Sequence, residues 1–369
     1  MKHLVLTISF ILLYCRLCFG AAAVMYVTVD GADTKDGTTW AKAMGLAEWE
    51  TNVEGSAEAG DVYYVAGGTY TLTNAWDTAL SGTKTSHIKI IGVKSGTSNE
   101  PPVFSDWAYT TDRPLIAAAA NSFTFEDYWE IRNLRVTTTA AGGFQVDLAC
   151  YIINCHSNNS SETTDRFAIY GWNYDNKYIN CEAQSSVGYG IYPYHNPADI
   201  IGCYIHDCKI GIREQDKLRV IGNIIGICTD EGLTVASRVA NIIINNTFYD
   251  CGTGIYGTTG TLNAFYNNII KDCLVGARFS ADYDSNIFDY NCWDNVNDTT
   301  NVTWGNNRVE GDPSMTEPWN GDFTLESGSN CLDAGMQVGT NQGATGDYKV
   351  NIGADQNDNT AATTSHGHF

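Results

Sequence analysis

The hydrophobic positions in the middle of the chain recur at a long, nearly fixed interval. Between residues 167 and 278, six short segments place an apolar residue at successive spacings of 22, 21, 21, 22 and 22 residues. These positions are occupied by Ile169, Ile191, Ile212, Leu233, Ile255 and Ala277. β-Branched runs bounded by Asn and Gly, such as 219–225 and 241–245, lie between them and predict short strands separated by turns.

A short strand set in every interval predicts an all-β solenoid in which each coil stacks on the one before it. We expect a parallel β-helix with coils about 4.8 Å apart, so that equivalent residues of neighbouring coils lie on top of one another. A cysteine ladder would form an inward stack just upstream, made of Cys155, Cys181, Cys208, Cys228, Cys251 and Cys273. In an oxidising compartment, Cys208–Cys228 or Cys251–Cys273 could close as a disulfide.

Both ends of a solenoid need protection, because the terminal coils otherwise expose unpaired strand edges. At the N-terminal end, we expect a helix from Trp40 to Glu50, capped by Thr38 or Thr39. Residues 311–335 are rich in turns and leave the repeat, which predicts an irregular C-terminal cap. The predicted organisation is a signal peptide at 1–22, an N-terminal cap and first strands at 23–75, β-helix coils at 76–310, a C-terminal cap at 311–356 and a flexible tail at 357–369.

Composition and charge narrow the partners and the compartment. The chain carries 42 Asp+Glu against 21 Lys+Arg, a net charge of −21, so we expect no nucleic-acid partner. The apolar run at 4–13 is too short to span a membrane, and the small residues at 20–23 suit cleavage by a signal peptidase. No later stretch stays apolar for 18 residues. We therefore expect an acidic protein that is secreted or on the cell surface, without membrane insertion.

Four segments near the ends of the chain carry a family resemblance. They are Asp-Gly-Ala-Asp-Thr-Lys-Asp-Gly-Thr-Thr-Trp-Ala at 30–41, Ala-Gly-Asp-Val-Tyr-Tyr-Val-Ala-Gly-Gly-Thr-Tyr at 59–70, Gly-Asp-Phe-Thr-Leu at 321–325 and Leu-Asp-Ala-Gly at 332–335. With these segments the chain resembles exported right-handed parallel β-helix proteins of the pectate-lyase-like superfamily, and its ending is similar to that of bacterial surface β-helix proteins. The resemblance implies a right-handed β-helix, export and a polysaccharide partner. The polygalacturonase signatures Asn-Thr-Asp, Gly-His-Gly and Arg-Ile-Lys are absent, as are those of the pectate lyases, so the activity stays open.

An outward-facing strip is the candidate binding surface. The residue after each inward position should point away from the coil, and two residues further on the chain should point the same way. We predict that the substrate-binding residues are Tyr170, Trp172, Tyr192, Tyr194, Tyr256 and Arg278. Aromatic faces stack on sugar rings, and Arg binds carboxylates or sulfates bidentately. The alternative is an aromatic ladder that only stabilises stacked strands.

One coil carries an extra residue, which points to candidate chemistry. The separation between cysteine and inward residue is four residues after Cys208 and five after Cys228, so we expect a bulge. This bulge would bring the acids after Cys228 close to the lysine after Cys208. The candidate catalytic group is Lys209, Arg213, Asp230 and Glu231, and Asp230 and Glu231 are also the candidate ligands for Ca²⁺.

Two mechanisms fit this group. In a lyase, Lys or Arg removes a proton beside a uronate carboxylate that a calcium ion neutralises. In a glycosidase, two carboxylates act as acid and as base or nucleophile. A solvated ion-pair cluster without catalytic function is the alternative.

The sequence thus predicts a secreted carbohydrate-binding β-helix, with polysaccharide lyase and glycoside hydrolase as the two candidate activities. The alternative function is a non-catalytic surface protein, such as an adhesin or the subunit of a filament. Such a subunit would associate head to tail through its coil ends.

Overall fold

The computed structural model describes residues 22–336 and Gly353, apart from gaps at 110, 120–121, 140–141, 162–165, 196, 215–216, 236–239, 259–261, 281–285, 296 and 304. The predicted signal peptide, except Ala22, and the predicted tail at 357–369 lie outside these residues. The described chain is an all-β solenoid of parallel strands, which confirms the predicted fold class. No helix among the described residues is both long enough and apolar enough to cross a membrane.

The strands stack into three ladders, here called the first, second and third in the order in which each coil visits them. The first ladder contains Val24–Val27, Val62–Ala66, Ile88–Val93, Trp129–Arg132, Tyr151–Ile153, Asn176–Ile179, Ala198–Ile201, Leu218–Ile221, Ile242–Ile244, Ala264–Tyr266 and Ile287–Asp289. The second contains Thr69–Thr71, Leu115–Ala119, Arg135–Thr138, His156–Asn159, the first parts of Glu182–Pro193 and Tyr204–Glu214, and Ile224–Gly226, Thr247–Tyr249, Ile269–Lys271, Cys292–Asp294 and Val309–Glu310.

The third ladder contains Trp76–Asp77, Phe123–Phe125, Phe144–Val146, Phe167–Gly171, the second parts of Glu182–Pro193 and Tyr204–Glu214, and Glu231–Val235, Thr253–Gly257, Val275–Phe279 and Asn297–Thr300. Its inward positions are the predicted repeat positions. Ile169 pairs with Ile191, Ile191 with Ile212, and Leu233 with Ile255, and all of them are buried. The repeat phase read from the sequence is therefore correct.

The Gly before each inward aliphatic residue is explained by close backbone approach. A Cβ on Gly232 would lie 2.7 Å from the carbonyl oxygen of Gly254 and 3.2 Å from the Sγ of Cys251. Gly211 has the same relation to Gly232 and to Cys228. Glycine and cysteine recur together because the thiol of one coil fills the space above the glycine of the coil before.

The prediction of a single cysteine ladder is wrong, because the structure divides these cysteines between two stacks. Cys155 and Cys181 follow the turn from first to second ladder and stack with Cys203, whose Sγ accepts the Cys181 backbone N–H at 3.4 Å. Cys208, Cys228, Cys251 and Cys273 follow the turn from second to third ladder. All ten cysteines of the described chain are buried free thiols, so neither suggested disulfide is formed.

Asparagines continue the first of these stacks towards the C-terminal end. The Oδ1 of Asn246 accepts the backbone N–H of Asn223 at 2.9 Å, and its Nδ2 donates to the Val220 carbonyl at 2.9 Å. Asn268 repeats the pattern with Asn246 and with the Ile243 carbonyl. Each side chain thus satisfies buried backbone groups that the turn leaves without ladder partners.

The N-terminal end is covered by one α-helix, Leu46–Gly55, as predicted, although the helix starts six residues later than expected. Residue Met44 pairs with the first strand in extended conformation, so the chain cannot be helical there, and Trp40–Lys42 forms a separate 3₁₀ turn. Buried Trp49 on the helix contacts Trp76, with ring centroids 4.6 Å apart. This contact covers the apolar interior of the first coils and excludes water from it.

The C-terminal segment packs along the side of the coils. It contains the antiparallel strands Met315–Glu317 and Asp322–Leu325 around the 3₁₀ turn Pro318–Asn320. Phe323 and Met315 are buried in an apolar cluster with Tyr249, Ile269 and Cys292, which belong to the outer face of the second ladder. The described part of the predicted cap therefore shields an outer face of the solenoid. A third 3₁₀ turn, Phe104–Asp106, lies in the loop before Leu115–Ala119.

Candidate functional site

The outward positions of the third ladder form one column along the solenoid axis. We call this the outward column; its described members include Asp77, Thr124, Gln145, Tyr170, Tyr192, Arg213, Thr234, Tyr256 and Arg278. The sequence predicted this column only from Tyr170 onwards. The structure extends it by three coils towards the N-terminus.

A second column runs beside it, two residues further along each coil. Ladder hydrogen bonds continue past the strands here: the Asp147 N–H donates to Phe125 O, the Trp172 N–H to Val146 O and the Tyr194 N–H to Gly171 O. These bonds place four residues in register, which we call the rim column: Glu126, Asp147, Trp172 and Tyr194. Two acids and two aromatic residues therefore follow each other along the axis.

The acidic end of the rim column is a cluster of three carboxylates, which we call the acidic cluster. One carboxylate oxygen from each of Glu126, Asp127 and Asp147 lies within 4.8 Å of the others. Burial raises the pKa of Glu126, and the negative charges of Asp147 and Asp127 raise it further. The cluster is held in place by neighbours, because Asp127 accepts the Leu148 N–H at 3.2 Å and Asp147 accepts the Asn173 side-chain amide.

The aromatic part of the site is more deeply packed than the sequence suggested. Tyr170 and Tyr192 do point away from the coil, but they are only 6% and 8% exposed. Phe167 stacks on Tyr170 with centroids 4.4 Å apart, and Tyr189 lies 5.2 Å from Tyr192. Phe167 and Tyr189, which belong to a neighbouring outward column, thus cover the two rings. The resulting burial raises the pKa of Tyr170.

The exposed aromatic surface is supplied by the rim column. Trp172 is 48% exposed, and its ring lies 4.9 Å from Tyr170 and 6.0 Å from Tyr194. The two buried tyrosines therefore act as a fixed base beneath Trp172 and Tyr194. At the far end of the strip, Arg278 lies 6.0 Å from the ring of Tyr256.

The four predicted catalytic residues do come together. Ile210, two positions after Cys208, pairs with Glu231, three positions after Cys228, so the expected bulge falls between Cys228 and Glu231. The Lys209 ammonium lies 3.8 Å from the Asp230 carboxylate, and burial and Asp230 raise the pKa of Glu231, opposed by Lys209 and Arg213.

Arg213 joins this group to the aromatic residues. Its guanidinium lies 4.8 Å from the ring centre of Tyr189 and 5.1 Å from that of Tyr192, and it donates to the Tyr189 hydroxyl. The aromatic rings and the catalytic group thus form one continuous surface. Asp230 and Glu231 do not belong to a set of three metal-ligating groups; among the described residues such a set is found at the acidic cluster.

The acidic cluster is the part of the site that sequence reasoning missed. The two strands before it, Phe123–Phe125 and Phe144–Val146, carry Phe at the inward position where the later repeats have Ile, Leu or Ala, so the aliphatic repeat does not extend to them. The available signal was the position of the acids, because Glu126 and Asp147 each follow a short aromatic-apolar strand directly.

Comparison with known proteins agrees with this architecture. Residues 149–317, less than half of the chain, match the family described as periplasmic copper-binding protein (NosD). No curated protein matches the sequence.

Among solved structures, pectate lyase Pel9A superposes with a TM-score of 0.60 at 15% identity, covering 91% of this chain and 96% of its own. A lacto-N-biosidase from Eubacterium ramulus gives 0.49 at 12% identity over 74% of this chain and 56% of its own. An alginate lyase from a Paenibacillus species gives 0.39 at 13% identity, over 77% and 98%. The similarity to pectate lyase Pel9A shows the fold.

Proposed function

We propose, from the premise that this chain is a pectate-lyase-like parallel β-helix, that it is an exported protein that binds an acidic polysaccharide along the rim column. One observation carries the proposal: Glu126 and Asp147 of the acidic cluster lie in register, on one line, with the exposed Trp172 and the half-buried Tyr194. A polymer lying along the axis would meet carboxylates and rings in successive coils.

The acidic cluster fits a calcium ion by the chemistry of its donors. Calcium takes six to eight oxygen ligands, and carboxylates are typical among them. Three carboxylates leave coordination positions for water and for a sugar carboxylate, so a bound ion would join the protein to a uronate. Copper(II) and copper(I) favour imidazole or sulfur ligands, whereas this cluster offers only carboxylate oxygens. Calcium at this cluster is therefore preferred over calcium at Asp230 and Glu231.

The aromatic residues would supply neutral contacts to the same polymer. A half-exposed Trp172 presents its indole to solvent, and sugar rings stack on such surfaces. Because Tyr170 and Tyr194 contact the indole of Trp172, little side-chain freedom is lost on binding.

We also propose Lys209, Arg213, Asp230 and Glu231 as the catalytic group. The members of this group support two different reactions. Proton removal beside a uronate by Lys209 or Arg213 would give an unsaturated product, whereas acid catalysis by Glu231, whose pKa is raised, would give a saturated reducing end. The product identifies the reaction.

The test uses the mature protein and a panel of acidic and neutral polysaccharides, in calcium and in a chelator. Binding is measured by calorimetry or affinity electrophoresis, and turnover by ultraviolet absorbance of unsaturated ends and by reducing ends. We expect calcium-dependent binding of an acidic polymer, weakened about tenfold or more by Trp172→Ala, since a well-packed aromatic contact at a binding surface contributes on this scale.

Trp319→Ala is the matched control, because Trp319 is 72% exposed on the C-terminal segment and distant in the fold from the rim column. Binding that survives Trp172→Ala unchanged would overturn the proposed surface. Failure to bind every polymer, together with filaments in electron micrographs, would favour the structural alternative.

A further inference from the structure

A groove on the first ladder lies outside the site described above. Its volume is about 470 Å³, and its lining includes Lys84, His87, Tyr128, Tyr151, Lys177 and Arg219. Small-molecule sites in proteins are typically clefts of some 300–1,000 Å³, so the groove has room for one or two sugar rings. Here we call it the first-ladder groove.

The floor of the groove is a fixed aromatic surface. The His87 ring lies 4.6 Å from the Tyr151 ring at an interplanar angle of 30°, and Tyr128 meets His87 edge-on at 5.8 Å. The His87 Nε2 lies 3.0 Å from the Ala149 carbonyl and so holds the imidazole across neighbouring coils. These contacts organise the floor before any ligand arrives.

Two lysines in the groove carry positive charge without a carboxylate partner. Lys177 lies over Tyr151, with its ammonium 4.8 Å from the ring centre, and within the described residues neither Lys177 nor Lys84 forms an ion pair. The lining also contains two acids, Asp175 and Asp199, and Arg219 pairs with Asp199 at 2.5 Å. In a chain of net charge −21, this groove thus has three cations against two carboxylates beside its aromatic floor, which suits an anionic ligand.

We propose that the first-ladder groove is a second binding site, specific for a sugar ring that bears a carboxylate. The ring lies against Tyr151 and His87, and Lys177 and Lys84 bind the carboxylate. The site is separate from the rim column and needs no metal ion. It would hold a uronate unit of a branch or of a second chain.

The experiment measures binding of galacturonate, glucuronate, glucose and inorganic sulfate by ligand-observed NMR and calorimetry, in a chelator. Chelation removes any contribution from the acidic cluster. We expect a uronate to bind, glucose and sulfate to bind at least about fivefold more weakly, and Lys177→Gln to weaken uronate binding at least about tenfold, since a charge-assisted hydrogen bond is lost.

Lys89→Gln is the matched control. Lys89 occupies the same outward register of the first ladder but does not line the groove, so its variant should bind as the parent does. Asp147→Asn should also leave this binding unchanged, which separates the groove from the rim column. The proposal is overturned if the parent binds no uronate, if Lys177→Gln binds equally well, or if sulfate or glucose binds as tightly as a uronate.

Discussion

The inward and outward sides of the third ladder obey different rules. Inside, the repeat positions are Ile, Leu or Ala in six successive coils, and all are buried. Outside, the same six strands carry Tyr, Arg or Thr, and the earlier coils of this ladder carry Asp77, Thr124 and Gln145. Stacking fixes the inner side, because each residue packs on its equivalent one coil away. The outer side is not fixed by this inward packing, so its residue types vary from coil to coil.

The largest effect should come from breaking the inner side. Ile212→Ala removes a fully buried side chain that packs between Ile191 and Leu233, and we expect the free energy of unfolding to fall by about 2–5 kcal/mol. Denaturant unfolding followed by circular dichroism measures the change.

Arg278→Gln provides the outer counterpart in the same ladder. Arg278 is exposed, and we expect its variant to stay within about 0.5 kcal/mol of the parent. Equal losses for the two variants would show that the outer column is structural after all.

A smaller effect on stability, which depends on pH, is expected at the acidic cluster on the outer side. The pKa of Glu126 is raised above its usual 4.5 in the folded protein, so the native state holds this proton more tightly than the unfolded state does. Without divalent cations, the contribution of Glu126 to stability should therefore decrease as the pH rises above about 4.5 and through the raised pKa of the folded state. Glu126→Gln should reduce this decrease, as measured by thermal unfolding at a series of pH values in a chelator.

Calcium provides the check on that interpretation. It should raise the unfolding temperature of the parent near neutral pH and have less effect near pH 4, where Glu126 is protonated. A parent whose stability relative to Glu126→Gln rises with pH in the chelator over this window, or whose calcium response is the same at both pH values, contradicts it.

The sequence predicted the fold well because its strongest signals are the ones that stacking requires. The spacing of Ile191, Ile212 and Leu233 fixed the inward phase, and the extra residue after Cys228 located the bulge and the Lys209–Asp230 contact. These features follow from the number of residues between repeat positions. Because each coil has a nearly fixed length, that number gives the place of a residue within its coil.

The features that the sequence did not predict depend on contacts between columns of side chains. The burial of Tyr170 and Tyr192 results from Phe167 and Tyr189 packing sideways over them, which the phase of one column does not reveal. The cysteines split into two stacks because one coil has a cysteine at both turns: Cys203 continues the stack of Cys181, and Cys208 begins the other stack. The lysine-rich groove on the first ladder was likewise invisible, since it combines strand ends with turns from several coils.

Calcium titration by calorimetry on the parent and on Asp147→Asn and Asp230→Asn tests the central claim most directly. It decides between the acidic cluster and the ligands first expected, Asp230 and Glu231. The account predicts one site in the parent, weakened about tenfold or more in Asp147→Asn and unchanged in Asp230→Asn. Binding that is kept in Asp147→Asn, or lost in Asp230→Asn instead, would contradict it.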